Sequence, residues 1–347
     1  MTLASSRATA RWAPWARLAA FGVVVAVLAA CSRTEPAATP AAAAAPAVEA
    51  PLQKVRYAGF PGVTGLGVQL GIEKGFFKDE GIALEFIDTR DPVSGLASDD
   101  IDVADWNTTG AIVAAGKGVP LTIVSSLFRH VGPFYLVGAP GVASVAALKG
   151  KAVGAAAFGT GLDVYARTIL SKEGVSPESA TFVANGVNAA ALATIENGAV
   201  SATIIHEPFA SLAEATGKGK VLAAGYDYLP RFHTGVIVAS NKFIASSPEQ
   251  LRKFLRAYFR SNEYAKAHLD EYKAFYAKRL GVDPAVVDAA VQRELPIWAN
   301  DPKVSLEEVQ ETQQIQLALG FQKEIYDAGR FIDLAFIPQD PKQHPAP

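Results

Sequence analysis

The chain has 347 residues, half of them hydrophobic and 9% aromatic, so it is long enough to bury one large core or two smaller ones. Its formal net charge of -2 gives no reason to expect nucleic acid or broad attraction to an anionic membrane. Cys31 is the only cysteine, which excludes a disulfide framework, a thiolate nucleophile and a Cys-ligated metal from the sequence that follows it.

The N-terminal residues predict an export signal. Arg7, Arg11 and Arg17 form a basic leader, and an apolar run follows over 18–30. This run of about thirteen residues is shorter than the roughly 20 that a bilayer-spanning helix needs. We therefore expect a signal peptide over 1–30. Its end, Leu28-Ala29-Ala30-Cys31, resembles the bacterial lipobox, which implies a lipid anchor on Cys31; an ordinary signal peptide with a stray cysteine is the alternative.

The segment 31–51 is rich in alanine and proline and is expected to be a tether between the anchor and the folded part. Strands and helices then alternate, which predicts βαβ units and a mostly parallel sheet. The predicted strands of this first unit are 54–58, 82–87, 101–104 and 121–125, with helices over 65–74 and up to Gly116.

The alternation restarts near Phe134 and predicts a second α/β unit. Its strands are expected at 134–137, 152–156, 181–183 and 200–205, with helices at 145–149, 161–174 and 189–197. A strand at 236–239 leaves this unit, the remainder up to 337 is helical, and 338–347 is expected to be a loose tail. The fold class is therefore α/β, with two lobes around a cleft and a helical C-terminal part.

Residues that favour helix N-caps follow several predicted strands. Ligands of open α/β sheets bind at the carboxyl ends of the strands, and each helix start there offers free N–H groups and a positive dipole end. Several such starts facing one cleft predict an anion site, although plain capping is the alternative for each residue. The residues are Thr64, Asn107, Thr108, Thr109, Thr160 and Asn188.

Three histidines, His130, His206 and His233, fall in the predicted cleft loops or between the lobes. With Arg129 and the aromatic residues Trp106 and Phe158, they predict a pocket for an anionic organic solute with a flat or apolar body. A structural role is the alternative for each histidine. Their spacing lacks the HxH or HxxxH pattern of a metal site, and no catalytic or nucleotide motif is present, so no metal or cofactor is expected.

The segments 73–82 (EKGFFKDEGI), 148–154 (LKGKAVG) and Glu207-Pro208 resemble the periplasmic solute-binding proteins of ABC importers. The similarity is to the nitrate/sulfonate/taurine-binding group, which includes pyrimidine-precursor proteins of thiamine synthesis. It implies a type II periplasmic-binding fold, with one lobe over 52–135 plus 236–337 and the other over 136–235. The ligand contacts that it implies are Gly62 to Thr64, Trp106 to Thr109, and Gly159 to Gly161.

The resemblance implies a monomeric, non-enzymatic lipoprotein of the cell envelope that closes its lobes on a small anionic solute and delivers it to an ABC permease and ATPase complex. The solute class includes sulfonates, carboxylates, nitrate and pyrimidine-like compounds. His206 replaces a residue that is often aromatic in the group, beside Glu207. The alternatives are an enzyme on the same fold, of the pyrimidine-precursor synthase or dehydratase type, and a sensory or scaffold lipoprotein. The synthases carry a Cys-rich iron-binding motif, which a chain with one cysteine lacks.

Overall fold

The structure is a computed structural model that describes residues 51–60, 65–87, 89 and 91–339. The predicted signal peptide, Cys31, most of the tether, and the loop residues Gly62 and Thr64 lie outside these residues. Within the described part, no helix combines the length and the apolar character that crossing a bilayer requires.

Two five-stranded sheets organise the chain. The first has the strand order β2-β1-β3-β10-β4, and only β10 runs against the other four strands. Its register places Tyr57 of β1 beside Val103 of β3, and Trp106 of β3 beside Val236 of β10. The strands are β1 (Gln53–Ala58), β2 (Ile82–Phe86), β3 (Val103–Asn107), β4 (Leu121–Ser126) and β10 (Gly235–Ser240).

The second sheet has the order β7-β6-β8-β5-β9, and here only β5 runs against its four companions. Phe134 of β5 pairs with His206 of β8, and Tyr135 pairs with Ala224 of β9. The strands are β5 (Phe134–Gly138), β6 (Ala152–Gly154), β7 (Thr181–Val183), β8 (Ala202–His206) and β9 (Lys220–Ala224). We call the first sheet with its helices the first lobe and the second sheet with its helices the second lobe.

Apolar clusters cover both faces of both sheets, as nearly parallel sheets require. In the first lobe the long C-terminal helices pack on the face that carries Val55 and Tyr57. The helices are α1 (Leu66–Glu73), α2 (Phe76–Asp79), α3 (Val93–Ala97), α4 (Thr108–Gly116), α5 (Gly161–Lys172), α6 (Ala189–Glu196), α7 (Phe209–Ala215), α8 (Gly225–Tyr228), α9 (Asn241–Ser246), α10 (Pro248–Ala267), α11 (Leu269–Leu280), α12 (Pro284–Glu294) and α13 (Leu306–Ala318).

Two chain segments join the lobes and bring their carboxyl edges together. Residues 127–133 lead from the end of β4 to the start of β5, and residues 225–234 lead from the end of β9 to the start of β10. The segments lie side by side, because the backbone N–H of Thr234 donates to the carbonyl of His130 at 3.0 Å. Each sheet therefore turns toward the other the edge at which its four co-directional strands end.

The predicted α/β class, the mostly parallel sheets and the helical C-terminal part are confirmed. The sequence did not reveal β9, the edge strand Lys220–Ala224, because its sequence KVLAA is short and lacks the alternation of a half-buried strand. This segment is a strand because it pairs with β5. Ser305 caps α13, since its side chain accepts from the N–H of Glu308.

Close contact between α1 and α10 depends on glycine. A β-carbon at Gly71 would lie 1.8 Å from Ser261 Oγ, and one at Gly67 would lie 2.3 Å from Asn262 Oδ1. We expect Gly71→Ala to lower the free energy of unfolding in urea by about 2 kcal/mol, because overpacking forces the helices apart. The double variant Gly71→Ala/Ser261→Gly removes the clash and should recover part of the loss. Equal losses in the single and double variants would show that this contact does not limit the packing.

Candidate functional site

The first-lobe part of the site is the start of α4, directly after β3. Asn107 Oδ1 accepts the N–H of Gly110 at 2.7 Å, so this side chain caps the helix as predicted for such a residue. Thr108 donates its backbone N–H to the carbonyl of Thr234. Thr109 stays partly accessible, and its hydroxyl accepts from Gln316 Nε2 at 3.1 Å. Bonds with Asn107, Thr234 and Gln316 thus hold the start of α4 in place, and Thr109 stays accessible there.

His233 fastens this region to the segment that joins the lobes. Its Nδ1 lies 2.9 Å from Thr108 Oγ1, its Nε2 lies 3.3 Å from Ser126 Oγ, and its backbone N–H donates to Thr312 Oγ1 of α13. Burial, together with the nearby His130, lowers the pKa of His233 to about 3. The ring is therefore neutral at physiological pH and holds three elements in register.

His206 ends β8 in the second lobe. The ring meets Phe134 edge to face, with centroids 4.8 Å apart, and Nδ1 is buried without a hydrogen-bond partner among the described residues. Burial is the main cause that lowers its pKa to about 4, and the charge of Arg129 adds to the effect. A neutral, partly exposed imidazole at a strand end is able to donate to or accept from a bound molecule without adding charge.

The charged side chains near the junction are paired. The Arg129 guanidinium lies 2.9 Å from the carboxylate of Glu294, and both side chains are buried. Glu207 is fully buried, accepts the N–H of Ser211 at the start of α7, and forms an ion pair with Arg293 of α12. These groups connect α12 to both lobes, and their charges are paired with each other. Burial raises the pKa of Glu294 to about 6, while the neighbouring Arg129 opposes that rise.

The second-lobe part of the site is the loop between β6 and α5, residues 155–160, which we call the Gly159 loop. Ala156 has a left-handed backbone with φ 59°, which is a strained conformation for a residue with a β-carbon. The hydroxyl of Thr160 donates to the carbonyl of Ala157 at 2.7 Å and does not cap α5. Phe158 lies at the tip of the loop with 57% of its surface exposed.

The structure divides the sequence-predicted site residues into two groups. One group is buried and supports the loops, and the other remains at least partly accessible at the two facing edges. The buried residues are Trp106, Thr108, Arg129, Glu207 and His233; the accessible ones are Asn107, Thr109, His130, Phe158, Gly159, Thr160, Gly161, Asn188 and His206.

Trp106 lies in the core, contrary to its predicted place in the pocket. In β3 its side chain points to the face opposite Asp105 and packs in the apolar cluster that contains Ala58, Leu96 and Ile112. Only 7% of its surface is exposed. Successive side chains of a strand point to opposite faces, so Trp106 points away from the face that its neighbour Asn107 shares with Asp105. The tryptophan is therefore a core residue in this structure, not a free aromatic wall of a cleft.

The sequence reading also missed the part that α13 plays. Thr312, Gln313 and Gln316 are fully buried polar residues on this helix. They reach His233, the backbone of Tyr326, and Thr109 respectively. Polar side chains on the buried face of a helix are unusual and mark specific contacts. The sequence does contain threonine and glutamine at a spacing that places them on one side of a helix. It does not identify their partners, because most of these lie far away in the chain.

A different feature, an open surface pocket of about 390 Å³, lies near the end of β5 and the start of β9, at the opposite edge of the second sheet. Lys220 is its single charged lining residue, and the remaining lining is alanine, glycine, valine and proline. It offers few groups that could orient a ligand. Among the described residues, no cluster of three or more histidine, cysteine or acidic side chains is arranged to hold a metal ion.

The low pKa of His233 makes the stability of the protein depend on pH. The unfolded chain takes up a proton on this residue near its ordinary value of 6.5, whereas the folded protein does so only near 3. Stability should therefore fall as pH falls below 6.5, by about 2 kcal/mol at pH 5 from this residue. His233→Gln should remove that part of the loss in urea unfolding at pH 7.5 and 5, whereas the exposed His268→Gln should not. An unchanged pH dependence in His233→Gln would contradict the neutral, buried ring.

The two facing mixed sheets, their two connecting segments and the helical C-terminal part define the fold of periplasmic binding proteins. The alkanesulfonate-binding protein SsuA from Xanthomonas axonopodis bound to MOPS superposes with a TM-score of 0.68 at 17% identity, covering 82% of this chain and 99% of that chain. A ligand-binding component of an ABC-type import system from Staphylococcus aureus, with zinc bound, gives a TM-score of 0.69 at 17% identity, covering 82% and 97%. These likenesses establish the fold.

The family model "NMT1/THI5 like" matches residues 65–272, more than half of the chain. The protein therefore belongs to the NMT1/THI5-like family, which confirms the resemblance found in the sequence.

The curated relatives of the chain fall into two kinds. A 4-amino-5-hydroxymethyl-2-methylpyrimidine phosphate synthase from Candida albicans is 27% identical over 227 residues, covering 60% of this chain and 66% of that protein. The chain thus spans just under two thirds of the length of this enzyme. A putative aliphatic sulfonates-binding protein from Bacillus subtilis is 25% identical over 281 residues, covering 78% and 84%. The riboflavin-binding protein RibY from Chloroflexus aurantiacus is 26% identical, covering 80% and 83%.

Proposed function

We propose that this protein is the solute-binding component of an ABC importer and captures a small anionic organic solute between its two lobes. The observation that carries the proposal is the set of accessible polar groups at the facing edges, contributed by both lobes. Thr109 comes from the first lobe, His130 comes from a connecting segment, and Thr160 and His206 come from the second lobe. Hinge motion about two connecting segments is a known way for such lobes to enclose a ligand.

The charge pattern supports recognition by dipoles and hydrogen bonds. Arg129, Arg167 and Arg293, which lie near the facing edges, are all paired with carboxylates. Among the described residues, a negative group on the solute can then be bound by remaining N–H groups and hydroxyls at the starts of α4 and α5. The exposed ring of Phe158 and the partly exposed imidazole of His206 suit a flat or apolar body.

Relatives named as binding proteins match more of their own length than the synthase does. The sulfonate-binding and riboflavin-binding relatives are covered over 84% and 83%, against 66% for the synthase. The single cysteine of the chain, Cys31, also supports a binding role, because the synthases resembling this group use a Cys-rich iron-binding motif. Synthesis of a pyrimidine phosphate is the second candidate, and it rests on the 27% identity to the synthase.

The proposed location is the periplasm or cell envelope, with a lipid on Cys31 and the segment 32–50 as a tether to the folded part. The basic leader and the short apolar run support this placement. In this role the solute-loaded protein delivers its cargo to a membrane permease and ATPase complex, as a monomer.

A solute screen tests the proposal. Mass spectrometry of molecules released from the purified full-length chain identifies a retained solute, and thermal unfolding with nitrate, ethanesulfonate, taurine, MOPS and 4-amino-5-hydroxymethyl-2-methylpyrimidine identifies an added one. A true ligand at 1,000 times its Kd should stabilise the folded state by about 4 kcal/mol. If no molecule is released and no compound raises the unfolding temperature, the binding role is contradicted. Release of a phosphorylated pyrimidine product would favour the synthase.

A pair of threonine variants locates the site. Thr109→Val removes an accessible hydroxyl at the start of α4 and should raise the Kd of the identified solute about tenfold, since a hydrogen bond to a charged group contributes about 1.5 kcal/mol or more. Thr122→Val is the matched control, because its hydroxyl bonds Asn241 at the opposite edge of the same sheet. Calorimetry should show a change in the first variant only. Equal affinities in both would remove Thr109 from the site.

A further inference from the structure

We propose that Asp163 is a positioning residue for solute binding: its carboxylate fixes the Gly159 loop in the shape that faces the solute. This inference rests on the proposed binding function and adds a residue that does not itself reach the solute. Asp163 lies in the first turn of α5 and is completely buried. A carboxylate without any exposure in a small loop-helix junction is costly unless hydrogen bonds and a countercharge compensate it.

Both the hydrogen bond and the countercharge are present, one on each oxygen of the carboxylate. Asp163 Oδ2 accepts the backbone N–H of Gly159 at 2.9 Å, and Oδ1 accepts Arg167 Nε at 2.7 Å. Gly159 has φ +77°, the left-handed region, so its peptide plane is turned toward the carboxylate in a way that other residues rarely adopt. The hydrogen bond therefore holds the glycine whose left-handed backbone turns the chain just before α5.

Arg167 is itself held by aromatic rings from two parts of the chain. Its guanidinium carbon lies 4.0 Å from the ring centre of Phe182 in β7 and 5.4 Å from that of Phe321, which follows α13. Phe321 also approaches Gly159, since a β-carbon on the glycine would lie 3.8 Å from Phe321 Cβ. The cation is thus fixed in place, and its fixed position orients the carboxylate.

The other end of the loop is anchored as well. The strained Ala156 donates its N–H to Asn185 Oδ1 at 3.1 Å and accepts from the N–H of Gly186 at 3.1 Å. Asn185 uses its amide group to bond Thr194 and Thr203. Strained residues that several independent bonds hold in place are typical of loops at functional sites. Between these two anchors lies Phe158, with 57% of its surface exposed.

The chain contains a matched control pair. Asp102, just before β3, also accepts one backbone N–H, that of Arg56 at 2.8 Å, and also pairs with a guanidinium, the side chain of Arg56. It is buried to a similar degree, with 7% exposure. It lies at the amino edge of the first sheet, away from the facing edges, so it reports the general cost of losing such a carboxylate.

The experiment compares Asp163→Ala, Asp163→Asn and Asp102→Ala in the full-length chain by amide hydrogen exchange. We expect exchange at Gly159 to become about tenfold faster in Asp163→Ala, since a charged acceptor is lost. Asp163→Asn keeps an acceptor oxygen and should stay much closer to the wild type. Asp102→Ala should leave Gly159 unchanged and accelerate exchange at Arg56. Unaltered exchange at Gly159 in Asp163→Ala overturns the proposal, and if that variant does not fold, unaltered exchange in Arg167→Gln does so.

Binding is measured with two probes, ethanesulfonate and 4-amino-5-hydroxymethyl-2-methylpyrimidine. For a probe that binds the wild type, Asp163→Ala should raise Kd about tenfold and Asp102→Ala should not, with Asp163→Asn restoring most of the affinity. Equal losses in the Asp163 and Asp102 variants would overturn the positioning role, because they would reflect stability alone. Faster exchange at Gly159 with neither probe bound by the wild type supports the role of Asp163 in the loop and counts against the proposed solute class.

Discussion

The contact between the two connecting segments, which run side by side in opposite directions, is the constraint on which the rest of the structure depends. The hydrogen bond between the N–H of Thr234 and the carbonyl of His130 fixes one segment to the other. His233, next in sequence, wedges its neutral ring between Thr108 and Ser126. Because these contacts occur where β4 ends and β10 begins, they bring the carboxyl edges of both sheets together. The candidate site exists only because these edges meet.

At this junction the charged side chains are paired, and the two histidines with lowered pKa values are neutral. Arg129 is matched by Glu294, and Arg293 is matched by Glu207, so α12 connects to both lobes through charges that a solute does not need to neutralise. The two histidines with lowered pKa values remain neutral, which avoids further charge in a poorly hydrated region. The accessible polar groups that remain at the candidate site, among the described residues, include the hydroxyls of Thr109 and Thr160 and the ring of His206.

Helix α13 supports both lobes. Gln316 bonds Thr109 at the start of α4, and Phe321, just beyond the helix, reaches Gly159 and Arg167 near the start of α5. The loops that carry the accessible site residues therefore share one support. A movement of the lobes relative to each other has to be accommodated at this helix, since its apolar side, with Ile315 and Leu319, packs on the second lobe.

Local patterns in the amino-acid sequence are enough to predict the α/β class, the order of most strands and helices, and the position of the loops at strand ends. These follow from local periodicity and from cap residues such as Asn107, whose partner is close in the chain. Three features depend on contacts between distant parts of the chain: the burial of Trp106 in the core, the bond between Thr108 and His233, and the bond from Gln316 of α13 to Thr109. Thr108 and His233 are 125 residues apart. No local pattern encodes such a contact, because it forms only when both sheets have closed around their cores and the chain has returned through its second connecting segment.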